Sequence, residues 1–168
     1  DHVLAKVRTL GTDYRVALLR AYVAERRNRR HKPGRAFERV DYRFYIVADY
    51  GAFRDLQRHR MLTIEWQPLS TRHGYEIPEA VDEAGLRDPF DDAMERSAAL
   101  YDALRDPFPE QAPYAVSLAY GIRFTMQSNA REAMHMLELR TAPSGHPSYR
   151  QIGQEMHRLI AEQAGHRA

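Results

Sequence analysis

Two arginines flank a histidine at Arg58-His59-Arg60, between an apolar stretch and a turn-rich stretch. A planar guanidinium matches phosphate oxygens bidentately, so this triplet has the chemistry to bind an anion such as a nucleotide or a flavin diphosphate. Cations are also favourable on the last turn of a helix, where they face the negative end of the helix dipole. The triplet by itself therefore predicts either an anion site or a solvated helix end.

A second set of polar residues opens a predicted helix at Ser128-Asn129-Ala130-Arg131. Backbone amides at a helix N-terminus bind anions, and Asn129 and Arg131 can add hydrogen bonds. The alternative is a plain helix cap with a surface arginine. Arg140 ends the same helix about three turns later, so it need not share a pocket with Arg131.

The remaining polar residues give weaker predictions. The histidines lie in no H-E-x-x-H or other zinc pattern, so we predict no metal site. Ser70 and Ser128 do not lie in a G-x-S-x-G elbow, and the chain has no Gly-rich phosphate loop. Neither metal catalysis nor a serine nucleophile is therefore indicated by a motif.

Composition limits the class of protein. The 168 residues suffice for one domain with a hydrophobic core, and the absence of cysteine excludes disulfides and thiol chemistry. That composition fits a cytosolic protein, and no apolar run reaches the roughly 18 residues that a membrane helix needs. Because the chain begins at Asp1 rather than at methionine, we expect residues 1–168 to be a fragment, or one domain of a longer protein.

The net charge of +2 conceals two charged blocks. The basic block consists of Arg26, Arg27, Arg29, Arg30, His31, Lys32 and Arg35, and the acidic block consists of Asp82, Glu83, Asp88, Asp91, Asp92 and Glu95. The two blocks can attract each other across a subunit interface, or both can be solvated. A basic block also attracts nucleic acid, but this one has no interleaved aromatic residues, so a nucleic-acid partner is the weakest of these predictions.

Hydrophobic periodicity predicts an α+β fold, with several helices around a small sheet. The predicted elements are helix 12–28, strand 39–47, helix 51–60, an irregular stretch 61–78, helix 88–104, strand 122–127, a helix capped by Ser128 and ending at Arg140, and helix 148–163. In the first strand, Val40, Tyr42, Phe44 and Ile46 are expected to face the same way.

Several motifs resemble one known family in the same order. Arg58-His59-Arg60 is similar to the start of the R-H-R-x-x-S-x-N-E-x-S-x-R-Y signature of flavin-dependent thymidylate synthases, the ThyX family. The stretch from Phe124 to Arg140 resembles that family's strand, N-A-R motif and helix ending in L-x-L-R. The turn at His31-Lys32-Pro33 and the helix after His146 resemble further blocks, so the likeness covers roughly residues 13–160.

This resemblance implies a fold and an activity. The fold would be α+β, with a small central antiparallel or mixed sheet flanked by helices. Members are homotetramers that bind FAD at subunit interfaces and methylate dUMP to dTMP with methylenetetrahydrofolate and NADPH. Carried over by position, the cofactor-binding residues would be Arg58, His59, Arg60, Asn129, Arg131, His135 and His31. Arg140 would face the pyrimidine as a catalytic, substrate-binding cation, and Ser70 and Arg72 would help bind dUMP.

The sequence departs from the family in the part that binds dUMP. Trp66 and Pro68 occupy signature positions, and Pro113 stands where a family arginine helps hold the dUMP phosphate. Arg72 would have to replace that arginine. The sequence therefore leaves two hypotheses open: a working or divergent thymidylate synthase, or a catalytically degenerate domain that binds flavin or a nucleotide, or that assembles with a sister domain.

Overall fold

The computed structural model describes residues 2–166, and Asp1, Arg167 and Ala168 lie outside the described residues. The described part contains seven α-helices and three β-strands. In chain order they are α1 (His2–Arg8), α2 (Thr12–Val23), β1 (Asp41–Asp49), α3 (Tyr50–Leu56), β2 (Thr63–Trp66), α4 (Glu79–Glu83), α5 (Arg87–Leu104), β3 (Gly121–Asn129), α6 (Ala130–Arg140) and α7 (Pro147–Gln163). Two 3₁₀ helices lie at Arg35–Arg39 and Ala112–Ala115. The predicted α+β class is confirmed.

The sheet is antiparallel throughout, with the strand order β1-β3-β2. Strand β3 lies in the centre and pairs along its whole length with β1, from Asp41 opposite Asn129 to Asp49 opposite Gly121. The shorter β2 pairs with the middle of β3. This arrangement confirms the small sheet flanked by helices, and it makes β3 the strand that positions α6.

The core lies on one face of this sheet. Side chains alternate along β3, so Ile122, Phe124 and Met126 are buried while Arg123 between them is exposed. Phe53 of α3 packs edge-to-face on Phe124, with ring centroids 4.9 Å apart. Burying side chains of this size contributes about 1.5–3 kcal/mol each. This aromatic contact joins α3 to β3.

Two helices differ from their predicted extents. The helix predicted over 12–28 ends at Val23, because Ala24 turns to a φ of 58° and its N–H caps the carbonyls of Arg20 and Ala21. No residue of α2 is buried, although Val16, Leu19 and Val23 lie on one face of this helix. The helix predicted over 51–60 ends at Leu56, so the triplet at 58–60 follows the helix rather than closing it.

The stretch 61–78 was wrongly predicted as wholly irregular, since it contains β2. Four residues are too few for a period-two pattern to stand out. The predicted cap at Ser128 is also displaced by one residue, because Ser128 is still paired with Tyr42 in the sheet and Asn129 caps α6. In α5, Met94 is buried, whereas Leu100 is 53% exposed.

No helix within residues 2–166 is both long and apolar enough to cross a membrane.

Candidate functional site

Helix α6 begins at a well-defined junction with the sheet. The side chain of Asn129 accepts a hydrogen bond from the N–H of Glu132 at 2.9 Å, which satisfies an otherwise unpaired amide of the first turn. The N–H of Ala130 donates to the carbonyl of Val40 at 2.7 Å, next to β1. The start of α6 is thus held by the last residue of β3 and by the residue that precedes β1.

His59 is the buried member of the triplet, with only 4% of its side chain exposed. Its Nε2 accepts a hydrogen bond from Nε of Arg140 at 2.9 Å. Its Nδ1 lies 3.2 Å from Oε1 of Glu132. Because Nε2 is an acceptor, the proton of the neutral ring lies on Nδ1 and is donated to Glu132. His59 therefore joins the 58–60 segment to both ends of α6.

The surroundings of His59 favour its neutral form. Burial and then the nearby Arg140 guanidinium lower its pKa from the usual 6.5, and His135 acts in the same direction, while Glu132 opposes them. The rings of His59 and His135 lie 5.9 Å apart, close to perpendicular. At neutral pH the centre of the site thus carries an uncharged imidazole between a carboxylate and a guanidinium.

Arg140 is held on three sides. Besides its bond to His59, its Nη2 donates to the carbonyl of Asp55, and its guanidinium lies over the ring of Tyr149, 5.2 Å from the centroid. Its Nη1 is 3.9 Å from Oδ1 of Asp55, too long for a hydrogen bond. Among the described residues Nη1 has no hydrogen-bond partner, so it can donate to a ligand oxygen. Its permanent charge suits an anionic one.

The other predicted cofactor residues lie along the outside of α6. Arg131 donates to the carbonyl of Pro33 and to Glu38, both at 2.9 Å. Glu138, seven residues along on the same face, pairs with Arg26. Arg26 in turn bonds the carbonyl of His31. The turn that carries His31 is thereby tied to α6, although the imidazole of His31 itself is exposed.

Arg58 and Arg60 point away from this buried network. The side chain of Arg58 is 71% exposed, and its nearest carboxylate, Asp55, is 3.8 Å away. Arg60 is exposed and makes no ion pair within residues 2–166. The triplet thus divides into one buried neutral residue and two surface cations. Because α3 ends at Leu56, the triplet directly follows the last helical turn rather than forming it.

Ser70 and Arg72 lie at the other end of the sheet. Their loop meets the start of β3, where the N–H of Gly121 donates to the carbonyl of Gly74 at 2.8 Å. The nine residues of β3 separate this end from Asn129, a span of about 27 Å. Arg72 is exposed, and its backbone N–H donates to Oγ of Ser70 at 3.4 Å. Within the described chain, neither residue is brought to His59.

Three residues of the site were missed by the sequence analysis: Glu132, Asp55 and Tyr149. Glu132 is three positions after the cap Asn129, where a glutamate is typical of a capping box, and that spacing was the available signal. Asp55 had no comparable signal, because it contributes mainly its backbone carbonyl.

Trp66, which departs from the family signature, lies against Phe53 with ring centroids 5.5 Å apart and is 55% exposed.

The acidic block is partly neutralised by an arginine of the same chain. Arg87 pairs with Asp82 at 3.1 Å and lies 3.9 Å from Asp91, beside an open cleft of about 630 Å³. Tyr75 lines the same cleft and donates to Asp91, which raises the pKa of Tyr75 to about 12. None of the predicted site residues lines this cleft.

Comparisons with known proteins agree with the motifs. The family model described as thymidylate synthase complementing protein matches residues 14–164. A protein from Chlamydia muridarum (strain MoPn / Nigg), named only UPF0159 protein, is 43% identical over 145 residues, which cover 86% of this chain and 27% of that protein.

Two further relatives carry the same uninformative name. One from Chlamydia pneumoniae is 44% identical over 147 residues, covering 88% of this chain and 28% of its own length. One from Thermoplasma acidophilum is 33% identical over 160 residues, covering 94% of this chain and 32% of its own length. The chain thus spans about a third or less of these relatives. The match over residues 14–164, together with the ordered motifs, shows that the chain belongs to the thymidylate synthase complementing protein family, Thy1 or ThyX.

Proposed function

We propose that this chain is one domain of an FAD-dependent thymidylate synthase, which methylates dUMP to dTMP with methylenetetrahydrofolate and NADPH. The observation that carries the proposal is the position of His59. Its two ring nitrogens contact Glu132 and Arg140, so the R-H-R segment and the N-A-R helix form one structural unit. These are the two motifs to which the family resemblance assigns flavin binding.

The exposed cations and polar groups around His59 fit a flavin diphosphate. Arg58 and Arg60 are exposed cations beside His59, and an anion is what such groups would bind. Arg131, 31% exposed, and the exposed His135 extend the polar surface along α6. When bound, the flavin supplies the hydride chemistry that side chains lack, so the protein is left to bind and orient its substrates.

Arg140 is the residue we propose to act on the pyrimidine. Its guanidinium plane is fixed by His59, by the Asp55 carbonyl and by the Tyr149 ring, while Nη1 remains available. A fixed cation stabilises a developing negative charge on a substrate without reorganising during the reaction. We therefore assign Arg140 both dUMP binding and stabilisation of the ionised pyrimidine.

Binding the phosphate of dUMP requires cationic or hydrogen-bonding side chains in addition to Arg140. Ser70 and Arg72 lie about the length of β3 from the start of α6. A second copy in a homotetramer, or a sister domain in the same polypeptide, would bring an equivalent loop to the Arg140 side. The greater length of the relatives supports a protein with more than this one domain. Since dUMP and NADPH are soluble metabolites, we place the reaction in the cytoplasm.

A second candidate is a degenerate domain that binds flavin or a nucleotide, or serves in assembly, without catalysis. It is favoured by Trp66, which covers part of Phe53 at a signature position, and by Pro113, which lies in a 3₁₀ helix and has no cationic group. Losing a charged hydrogen bond to phosphate costs about 1.5–3 kcal/mol, which corresponds to about tenfold to a hundredfold in affinity.

The absorbance spectrum of the purified protein and an FAD titration test the proposal. We expect a bound flavin, with Arg58→Ala and Arg60→Ala each weakening FAD binding about tenfold. Arg96→Ala is the matched control, because Arg96 is an exposed arginine on α5. Oxidation of NADPH that depends on dUMP would then separate the two candidates. A protein that ignores FAD at tens of micromolar would reject the first candidate.

A further inference from the structure

The buried carboxylate of Glu132 has no role in the function derived so far. Only 12% of its side chain is exposed, and Oε1 lies 3.2 Å from Nδ1 of His59. Its own N–H is held by the side chain of Asn129. A carboxylate that is desolvated to this degree is costly unless it is hydrogen-bonded, so the pairing with His59 defines where Glu132 points.

Glu132 belongs to a continuous chain of polar contacts. The side chain of Asn129 contacts the backbone N–H of Glu132, and the carboxylate of Glu132 contacts His59. His59 in turn contacts Arg140, which donates to the carbonyl of Asp55. This chain of contacts connects a residue assigned to the cofactor with the arginine assigned to the pyrimidine. Each of these contacts has a donor and an acceptor. The position of one proton decides which atom donates in the two contacts that His59 makes, with Glu132 and with Arg140.

That proton is the one on the imidazole of His59. Because Arg140 is always protonated, the bond from its Nε–H to Nε2 of His59 forms only in the tautomer whose Nε2 carries no proton. A carboxylate beside Nδ1 stabilises the proton there, as a carboxylate does for the histidine of a hydrolase triad. With the proton on Nε2 instead, two N–H groups would face each other and Arg140 would be pushed away.

We propose that Glu132 is a positioning residue that fixes the Nδ1–H tautomer of His59 and thereby aims Arg140 at the substrate. The consequence for the substrate rests on the proposed function, whereas the tautomer does not. The titratable or charged groups that face His59 are Glu132, His135 and Arg140 from α6, and Asp55 approaches through Arg140 from α3. Among those that act directly, Glu132 is the acceptor that holds the proton on Nδ1.

Nitrogen-15 NMR of the histidine side chains tests the proposal without any ligand. In the wild type we expect His59 with a protonated Nδ1 and a bare Nε2. Glu132→Ala should shift the ring toward the Nε2–H tautomer and lower its pKa further. Glu132→Gln keeps an acceptor oxygen, so it should retain the tautomer while still lowering the pKa, and it serves if Glu132→Ala does not fold. Glu138→Gln, on the same helix but away from His59, should change neither quantity.

A wild-type His59 that is protonated on Nε2 would overturn the proposal, and so would an unchanged tautomer in Glu132→Ala. In the second stage, dUMP titration should show affinity about tenfold weaker in Glu132→Ala than in the wild type, if Arg140 is misaimed. Equal affinities would overturn the link to Arg140. If the wild type binds neither FAD nor dUMP but shows the Nδ1–H tautomer, the proposed function fails while the positioning of the ring stands.

Discussion

The α6 side of the molecule and the loop carrying Ser70 and Arg72 hold polar residues in very different states. Beside α6, His59, Glu132 and Arg140 are largely buried and satisfy one another. In the loop, Arg72 is exposed and its side chain makes no ion pair within the described residues. Contacts within one chain therefore fix His59 and Arg140, whereas no ion pair within the described residues fixes the side chain of Arg72.

The largest expected effect comes from removing the cation of the buried side. We expect Arg140→Ala to reduce dUMP-dependent NADPH oxidation about a hundredfold or more, because it deletes the fixed charge proposed to stabilise the pyrimidine. Steady-state kinetics at saturating FAD measure this. Arg140→Lys keeps the charge but not the planar fork, and should recover only part of the activity. Unchanged turnover in Arg140→Ala would contradict the assigned role.

A smaller effect, visible in stability as well as in binding, is expected at His59. His59→Ala leaves Glu132 and Nε of Arg140 without their partner, which should lower the free energy of unfolding by about 1–3 kcal/mol. Urea titration followed by circular dichroism measures this loss. Arg60→Ala is the matched control on the neighbouring exposed residue and should leave stability within about 0.5 kcal/mol of the wild type. Equal stability of all three proteins would show that the buried side is not organised as described.

The loop should respond in the opposite way. We expect Arg72→Ala to weaken dUMP binding about tenfold while leaving both FAD affinity and stability unchanged, since the exposed side chain supports no packing. Titration of the assembled protein with dUMP measures the change. If Arg72→Ala instead lowers FAD affinity, the two regions do not have separate roles.

The smallest effect is a pH dependence of stability from His59. Its pKa in the folded protein lies below 6.5, so between these two values the unfolded chain binds the extra proton. The free energy of unfolding should therefore fall as pH drops below about 6.5 and level off below the pKa of the folded state. Thermal unfolding across this range measures the slope. His59→Gln can keep both hydrogen bonds without titrating and should flatten it, whereas His157→Gln, on an exposed residue, should not.

Much of the fold followed from local patterns. Strand β1 and helices α5, α6 and α7 lie within about two residues of their predicted bounds, because their hydrophobic periodicity and caps are strong. The prediction failed where a signal was short, as in β2, or where packing contradicted it. Val16, Leu19 and Val23 lie on one face of α2, yet Leu19 is 51% exposed, because no other described part of the chain covers it.

The sequence by itself determined the family and the sheet-flanking helices, and it suggested some of the candidate site residues, because motif order and periodicity are properties of the chain. Only the tertiary structure decided how those residues are used. It buried His59 and left Arg58 and Arg60 outside, and it placed Glu132 against the imidazole. It also placed the loop of Arg72 at the end of β3 opposite to Asn129. Burial and hydrogen-bond direction depend on contacts between distant segments, such as positions 59 and 132, and no local pattern encodes these.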